Sequence, residues 1–297
     1  MAEYGTGRVV VSYSQDSIVE DADGMLHRCT ARRSVGKPYC GDMVRFSVQA
    51  GGKAIEEILP RRNLLARPNY RNELRPFAAN VDLVVITVAV KPPFETMLID
   101  RYLVLAEQLE IEPLIWLNKL DLAGGERDAE LARLDVYRRL GYRVLAGSVR
   151  SGEGLDALEA CFKGKTGILV GQSGVCKSSL IQRLIPNIEL RIGALSEASG
   201  LGRHTTTETT LYHLPGGGDL IDSPGIRTLR LGHLSPAQIA HGFIELRPFQ
   251  GQCRFADCRH LAEPDCAVRA AVERGEVEPA RLQSFHTLLQ EETADRP

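Results

Sequence analysis

Hydrophobic and polar positions change their rhythm near residue 70. Before that point short runs recur: RVVVSY (8–13), MLHRCTAR (25–32), DMVRFSV (42–48) and KAIEEIL (53–59). Turn formers such as Asp23-Gly24 and Gly51-Gly52 separate them. Apolar positions at period two, rich in β-branched residues, predict strands with one buried face. Several short strands within about 65 residues suit a small barrel. The OB-fold, a barrel of this kind that binds nucleic acid, is the expected N-terminal fold.

Past Pro68 and Pro76 the elements lengthen and alternate in kind. NVDLVVITVAV (80–90) predicts a strand, MLIDRYLVLAEQLE (97–110) a helix and IEPLIWLN (111–118) a strand. RDAELARLDVYRRLG (127–141) predicts a helix ending at glycine, YRVLAGS (142–148) a strand and Leu155 to Phe162 a short helix. Thr166 to Val170 and Asp219 to Ile221 predict two more strands, and a helix from Ser179 stops at Pro186. Strands alternating with helices imply βαβ units and a parallel sheet covered on both faces. Ligands of such sheets sit beyond the carboxyl ends of the strands.

One such end carries a candidate phosphate site. The segment Gly171, Gln172, Ser173, Gly174, Val175, Cys176, Lys177, Ser178, Ser179 follows a strand and opens a helix. It fits G-x-x-x-x-G-K-[ST] at every fixed position except the sixth, where Cys176 replaces glycine. Loop N–H groups and a helix N-terminus face an anion there, Lys177 neutralises it and the Ser178 hydroxyl can ligate magnesium.

Two further strand ends carry polar motifs. Asn118-Lys119-Leu120-Asp121 follows Trp116-Leu117. The Asp121 carboxylate can accept from N1–H and the exocyclic amine of guanine, a donor pair that adenine lacks. Asn118 can bond the base edge and the loop, and the Lys119 stem can pack along the ring. Ser148, ending the next strand, is placed to contact the guanine oxygen through its backbone. Asp222-Ser223-Pro224-Gly225 follows the strand at 219–221. Asp222 can hold magnesium through water, and the Gly225 N–H can reach a γ-phosphate. Between the two phosphate motifs lies SGLGRHTTT (199–207), long enough to order over a triphosphate. One of Thr205, Thr206 and Thr207 could complete the magnesium shell.

Composition narrows the class. At 43% hydrophobic and 25% charged, the 297-residue chain reads as globular and long enough for several domains. No apolar run approaches a membrane span and MAEYGTGRVV lacks a signal-peptide core, so a cytoplasmic protein without a membrane partner is expected. The net charge of −2 hides an asymmetry. From Leu26 to Arg75 there are eleven Lys and Arg against four acids, an excess that favours an anionic partner such as RNA.

Seven cysteines, an odd number with three near the C-terminus, favour metal binding over disulfides. Cys253, Cys258, His260 and Cys266 offer three thiolates and one imidazole within fourteen residues. That set closes a tetrahedral zinc site with no position for water, so one structural zinc is expected. Nearby Arg247, Arg254, Arg259 and Arg269 suit either RNA contact or a solvated surface.

The order of the motifs is unusual. GTPases of the common kind place the P-loop before NKxD, whereas here NKLD precedes it and DSPG follows. Circular permutation tolerates such an order when the original termini lie close together. With GLGRHTTT (200–207), LIDSPGIR (220–227) and the cysteine pattern, the whole chain resembles the RsgA/YjeQ family of ribosome small-subunit-dependent GTPases.

The resemblance implies a multidomain α/β protein in three parts. These are an OB-fold RNA-binding barrel (1–70), a circularly permuted P-loop GTPase domain (71–235) and a small helical zinc-binding domain with a C-terminal helix (236–297). It implies GTP hydrolysis to GDP with Mg2+, stimulated by the small ribosomal subunit and its rRNA during late maturation, by a monomer. Ile226 stands where Ras-type GTPases carry a water-orienting glutamine, and the resemblance transfers that catalytic role to His204, beside Lys177. Family members have glycine at position 176. If the backbone there needs a positive φ, cysteine costs about 1–2 kcal/mol and weakens nucleotide binding. Two other readings remain: an RNA-binding factor with a weakened or non-hydrolysing nucleotide site, and a P-loop ATPase, which NKLD disfavours.

Overall fold

The computed structural model describes residues 3–49, 52–68, 73–199, 208–223 and 234–294. The chain begins with five strands: β1 (Glu3–Ser12), β2 (Asp16–Asp21), β3 (Leu26–Ala31), β4 (Met43–Gln49) and β5 (Gly52–Ile58). They close a ring in the order β1-β2-β3-β5-β4-β1, antiparallel except where β3 runs beside β5. Val9, Val19, Cys29, Val44, Phe46 and Ile55 fill the interior.

Strand β2 escaped the sequence pattern for a physical reason. Its neighbours Ile18 and Val19 are both fully buried, Val19 in the barrel and Ile18 against the rest of the protein. A strand covered on both faces between acidic ends shows no alternation. The hairpin β6 (Leu64–Pro68) and β7 (Leu74–Ala79) then leads out of the barrel across the expected boundary at residue 70.

The barrel strands continue, through β12 and β1, into a sheet portion that holds β8 (Leu83–Ala89), β9 (Glu112–Asn118), β10 (Arg143–Ala146), β11 (Thr166–Val170), β12 (Thr210–His213) and β13 (Asp219–Asp222). Its order is β10-β9-β8-β11-β13-β12, parallel but for β12, which pairs with β1 of the barrel at Thr210 and Val11. Helices α1 (Thr96–Gln108), α2 (Arg127–Ala132), α3 (Asp135–Arg139), α4 (Leu155–Ala160), α5 (Lys177–Leu184) and α6 (Ile188–Ser199) connect the strands.

The helix expected over 127–141 is two short ones. At the break, Leu134 adopts φ −100° and ψ 0°, and both Leu134 and Tyr137 are fully buried. The Arg133 guanidinium lies 3.9 Å from the Phe94 ring centroid and donates to the Phe94 carbonyl, fixing the turn.

Among the described residues three α-helices follow the sheet: α7 (Pro236–Gly242), α8 (Ala267–Glu273) and α9 (Pro279–Ala294). Helix α7 starts at a capping box between Ser235 and Gln238 and lies so close to α1 that a Cβ on Gly242 would meet Val104 Cγ1 at 2.7 Å. Arg281 of α9 is buried with Asp100 of α1 and Glu245, donating to each at 2.5 Å. Tyr137 donates to the same Asp100 oxygen at 2.6 Å, and the guanidinium also faces the Phe243 ring at 4.5 Å. This buried ionic knot fixes the C-terminal helices on α1.

Candidate functional site

The phosphate loop joins β11 to α5, and its backbone explains its composition. Gly171 has φ +134°, and a Cβ there would meet the Thr87 carbonyl oxygen at 2.0 Å, so only glycine fits. Gly174 has φ +83°. Cys176 also lies in the left-handed region, at φ 67° and ψ 36°, immediately before α5. The sixth position therefore demands the conformation that glycine supplies freely and cysteine does not. Lys177 Nζ donates to the carbonyls of Gly171 and Gln172 at 2.6 and 2.7 Å, folding the lysine over the loop. Ser178 and Ser179 are exposed in the first turn of α5, beside Ser173 and the buried Val175.

The NKLD motif sits against this loop. Asn118, fully buried, donates from Nδ2 to the Val175 carbonyl at 2.8 Å. Its Oδ1 accepts from the N–H groups of Lys119 and Val149 at 2.8 and 3.1 Å. Lys119 Nζ donates to the carbonyls of Gly174 and Lys91 at 2.6 and 2.7 Å. Leu120 is buried beneath, and Asp121 is exposed with its Oδ1 held by the Ser148 hydroxyl at 2.5 Å.

At Ser148 the backbone and the side chain have separate partners. Its N–H donates to the Glu153 carbonyl. Its hydroxyl orients Asp121 and accepts from the N–H groups of Arg150 and Ser151 at 3.2 Å.

Asn118, Lys119, Asp121, Ser148, Cys176 and Ser179 line one cavity of 320 Å³. Leu122, Val149 and Arg150 line it too. Sequence reasoning missed these three, although Val149 and Arg150 follow Ser148 at the same strand end. Asp222 ends β13, where burial pushes its carboxyl above the usual value, and no side chain among the described residues pairs with it. The neighbouring Ser223 accepts from the buried Thr209 hydroxyl at 2.9 Å. His204, Thr205, Thr206, Thr207, Gly225 and Ile226 lie outside the described residues.

The cysteine cluster forms as expected. One ligand atom each from Cys253, Cys258, His260 and Cys266 lies within 4.8 Å of the others, and the set could hold a metal ion. The imidazole presents Nδ1, at 3.5 Å from Cys253 Sγ and 3.3 Å from Cys266 Sγ. Burial holds the His260 imidazole below its usual value, favouring the neutral form that ligates.

The basic excess of the barrel is less free than its count suggests. Arg28, Arg32, Arg45, Arg61, Arg62 and Arg75 pair with Asp16, Glu56, Glu57, Asp42, Asp82 and Glu73. Two of those acids, Asp16 and Asp82, lie outside the window counted in the sequence. Among the described residues no helix is long and apolar enough to cross a membrane.

A barrel followed by a parallel sheet in which NKLD precedes the loop at 171–178 has the architecture of a circularly permuted GTPase. Residues 58–232 match the family model described as RsgA GTPase. A "Small ribosomal subunit biogenesis GTPase RsgA" from Chromohalobacter salexigens is 49% identical over 291 residues, covering 95% of this chain and 85% of that protein. The namesake from Dickeya dadantii is 44% identical over 300 residues, covering 98% and 85%. The crystal structure of YjeQ from Thermotoga maritima matches with TM-score 0.81 and 33% identity over 99% of this chain and all of that one. That of YloQ, described as a circularly permuted GTPase, matches with TM-score 0.78 and 30% identity over 99% and 97%. The chain belongs to the RsgA GTPase family.

Proposed function

We propose that this protein hydrolyses GTP to GDP and phosphate on the small ribosomal subunit and assists the late maturation of that subunit. The observation that carries the reading is the buried bond from Asn118 to Val175, which joins a guanine-reading motif to a phosphate loop. Asp121, held by Ser148, reads the guanine edge, and the Lys119 stem covers the ring. Gly171 through Ser179 cradle the phosphates, with Lys177 swinging from its own loop carbonyls to the β- and γ-oxygens. Ser178 and Asp222 would hold Mg2+, which would neutralise charge developing on the phosphates; the half-buried Asp222 carboxyl, without a side-chain partner among the described residues, suits a cation. The reading assigns the Gly225 N–H to the γ-phosphate and His204 to the attacking water, the role that Ile226 cannot fill.

Zinc is the ion that fits the cysteine cluster. A tetrahedron with ordinary Zn–S and Zn–N bonds has S···S edges of about 3.8 Å and S···N edges of about 3.5 Å. The cluster shows 3.9 Å between Cys253 and Cys266, and 3.3 and 3.5 Å to His260. The site is structural, bracing the helical domain that we assign to 236–297, after a barrel over 1–70 and a GTPase domain over 71–235. The protein acts as a cytoplasmic monomer whose barrel contacts rRNA.

One observation favours a second reading. The left-handed Cys176 weakens the phosphate loop, which suits a subunit-binding factor with little hydrolysis of its own. Co-sedimentation with purified small subunits tests the ribosomal reading. The GTP-loaded protein is expected to pellet with subunits, less so with GDP, and to lose binding steeply between about 50 and 200 mM salt. Equal, salt-indifferent recovery in both states, or none, would contradict it.

A further inference from the structure

Most of the eleven Lys and Arg between Leu26 and Arg75 are already engaged. Arg28, Arg32, Arg45, Arg61, Arg62 and Arg75 pair with acids. Lys53 meets His27, Arg67 lies over the Phe77 ring, and Arg71 falls outside the described residues. Among the described residues, that leaves Arg33 and Lys37 without an acidic partner. Both are exposed, and both stand in the one loop that joins β3 to β4.

The loop is built to hold these two charges out. The Val35 N–H donates to the Arg32 carbonyl at 3.0 Å, closing a turn with Arg33 and Ser34 at its tip. Val35 itself packs against the barrel core. Beyond the turn the backbone is pinned residue by residue. Arg61 Nη2 donates to the Lys37 carbonyl at 3.1 Å, and the Ser12 hydroxyl donates to that of Pro38 at 2.7 Å. The fully buried Asp42 accepts from the Tyr39 N–H at 2.7 Å and from Arg61 on both oxygens. Lys37 Nζ lies 5.9 Å from the centroid of the Tyr39 ring, which the Arg61 guanidinium also faces, at 5.2 Å. An aromatic face attracts the ammonium without cancelling its charge.

The loop also stands at the end of the sheet that carries the candidate nucleotide site. Val11 of β1 pairs with Thr210 of β12, and Thr210 pairs with Asp222 of β13. Both pairings are antiparallel, so β1 points the same way as β13 and β11, and Ser12 at its end is the residue that holds Pro38. We propose that residues 32–37 are the barrel's contact with rRNA, with Arg33 and Lys37 gripping phosphates of its backbone. The inference rests on the ribosomal reading above and names the surface that serves it. A paired arginine must leave its carboxylate to reach a phosphate, whereas Arg33 and Lys37 give up only water and counterions. Arg32, Arg33, Ser34, Gly36 and Lys37 are exposed and present no apolar side chain, the chemistry of a phosphate contact rather than of a protein interface.

The test measures affinity of the GTP-loaded protein for purified small subunits, and for their protein-free rRNA, between about 50 and 200 mM salt. Melt-checked variants are compared. Arg33→Gln with Lys37→Gln should weaken both complexes about tenfold and flatten the slope of log affinity against log salt by about one to two. Arg45→Gln with Arg75→Gln removes the same net charge from exposed arginines that pair with Glu57 and Glu73. That control should stay within about twofold and keep its slope. Unchanged affinity and slope in the loop variant, or an equal loss in the control, would overturn the proposal alone. A loss confined to intact subunits would assign the loop to a ribosomal protein and overturn it too. An unaltered protein that binds no subunits would remove the ribosomal reading and this proposal with it.

Discussion

Asn118 donates its side-chain amide to the carbonyl of Val175 at 2.8 Å, across a sequence separation of 57. Both residues are fully buried. Lys119 adds a second tie, to Gly174 at 2.6 Å. Motifs that the permuted chain presents in reversed order therefore meet at the ends of β9 and β11, and the candidate nucleotide site is defined by geometry rather than by order.

Guanine selectivity should rest on Asp121. Asp121→Asn should weaken GTP binding about tenfold or more and shift preference toward xanthosine triphosphate, because the amide donates where guanine also donates. Its remaining oxygen can still accept from Ser148, so the fold should survive. Competitive titration of the two nucleotides checks this, and unchanged discrimination would remove Asp121 from the base site.

Relief of the left-handed strain at position 176 should tighten the site. Cys176→Gly should improve GTP affinity about three- to thirtyfold, the equivalent of about 1–2 kcal/mol. Turnover at saturation should move less, since the thiol takes no chemical role. Cys176→Ala separates the causes: it keeps the backbone penalty and removes the sulfur. Recovery with Gly alone indicates strain, recovery with Ala indicates crowding, and equal affinities in all three would contradict both.

Much of this was legible in the sequence because the chemistry is local. Strand, loop and helix are contiguous around Gly171 to Ser178, and the candidate metal ligands lie within fourteen residues. The positive φ at Cys176 follows from its place in that loop, and the structure shows it. What escaped depends on distant partners. Strand β2 hid because both faces are covered, and α6 and β12 were not anticipated on either side of GLGRHTTT. The bonds of Ser148 to Glu153 and Asp121 arise from a turn and a neighbouring strand end, which its own sequence context does not show. Glu20 accepts from Arg191 and His213, joining residues 171 and 193 positions apart, which no local pattern reveals.

The ionic knot on α1 should be costly to break. Arg281→Leu strands Asp100 and Glu245 as buried charges, and should lower unfolding stability by about 3–5 kcal/mol. Urea denaturation measures it. A loss below about 1 kcal/mol would show that water reaches these carboxylates, contrary to their burial.

Metal removal should act locally. Elemental analysis should find one zinc per chain, and chelation should expose the segment from Cys253 to Cys266 to proteolysis while GTP titration stays near its original affinity. The Arg281 knot and the α7 contact with Val104 do not involve the metal. Protein prepared without chelators that contains no zinc would end this assignment.

The most direct measurement is steady-state hydrolysis of GTP and ATP, each with and without purified small ribosomal subunits. GTP turnover should be slow alone and rise by about tenfold or more with subunits, as expected when a partner completes the catalytic arrangement. ATP turnover should stay at background in both conditions. Equal use of ATP, or GTP turnover that subunits leave unchanged, would contradict a guanine-specific, subunit-dependent GTPase.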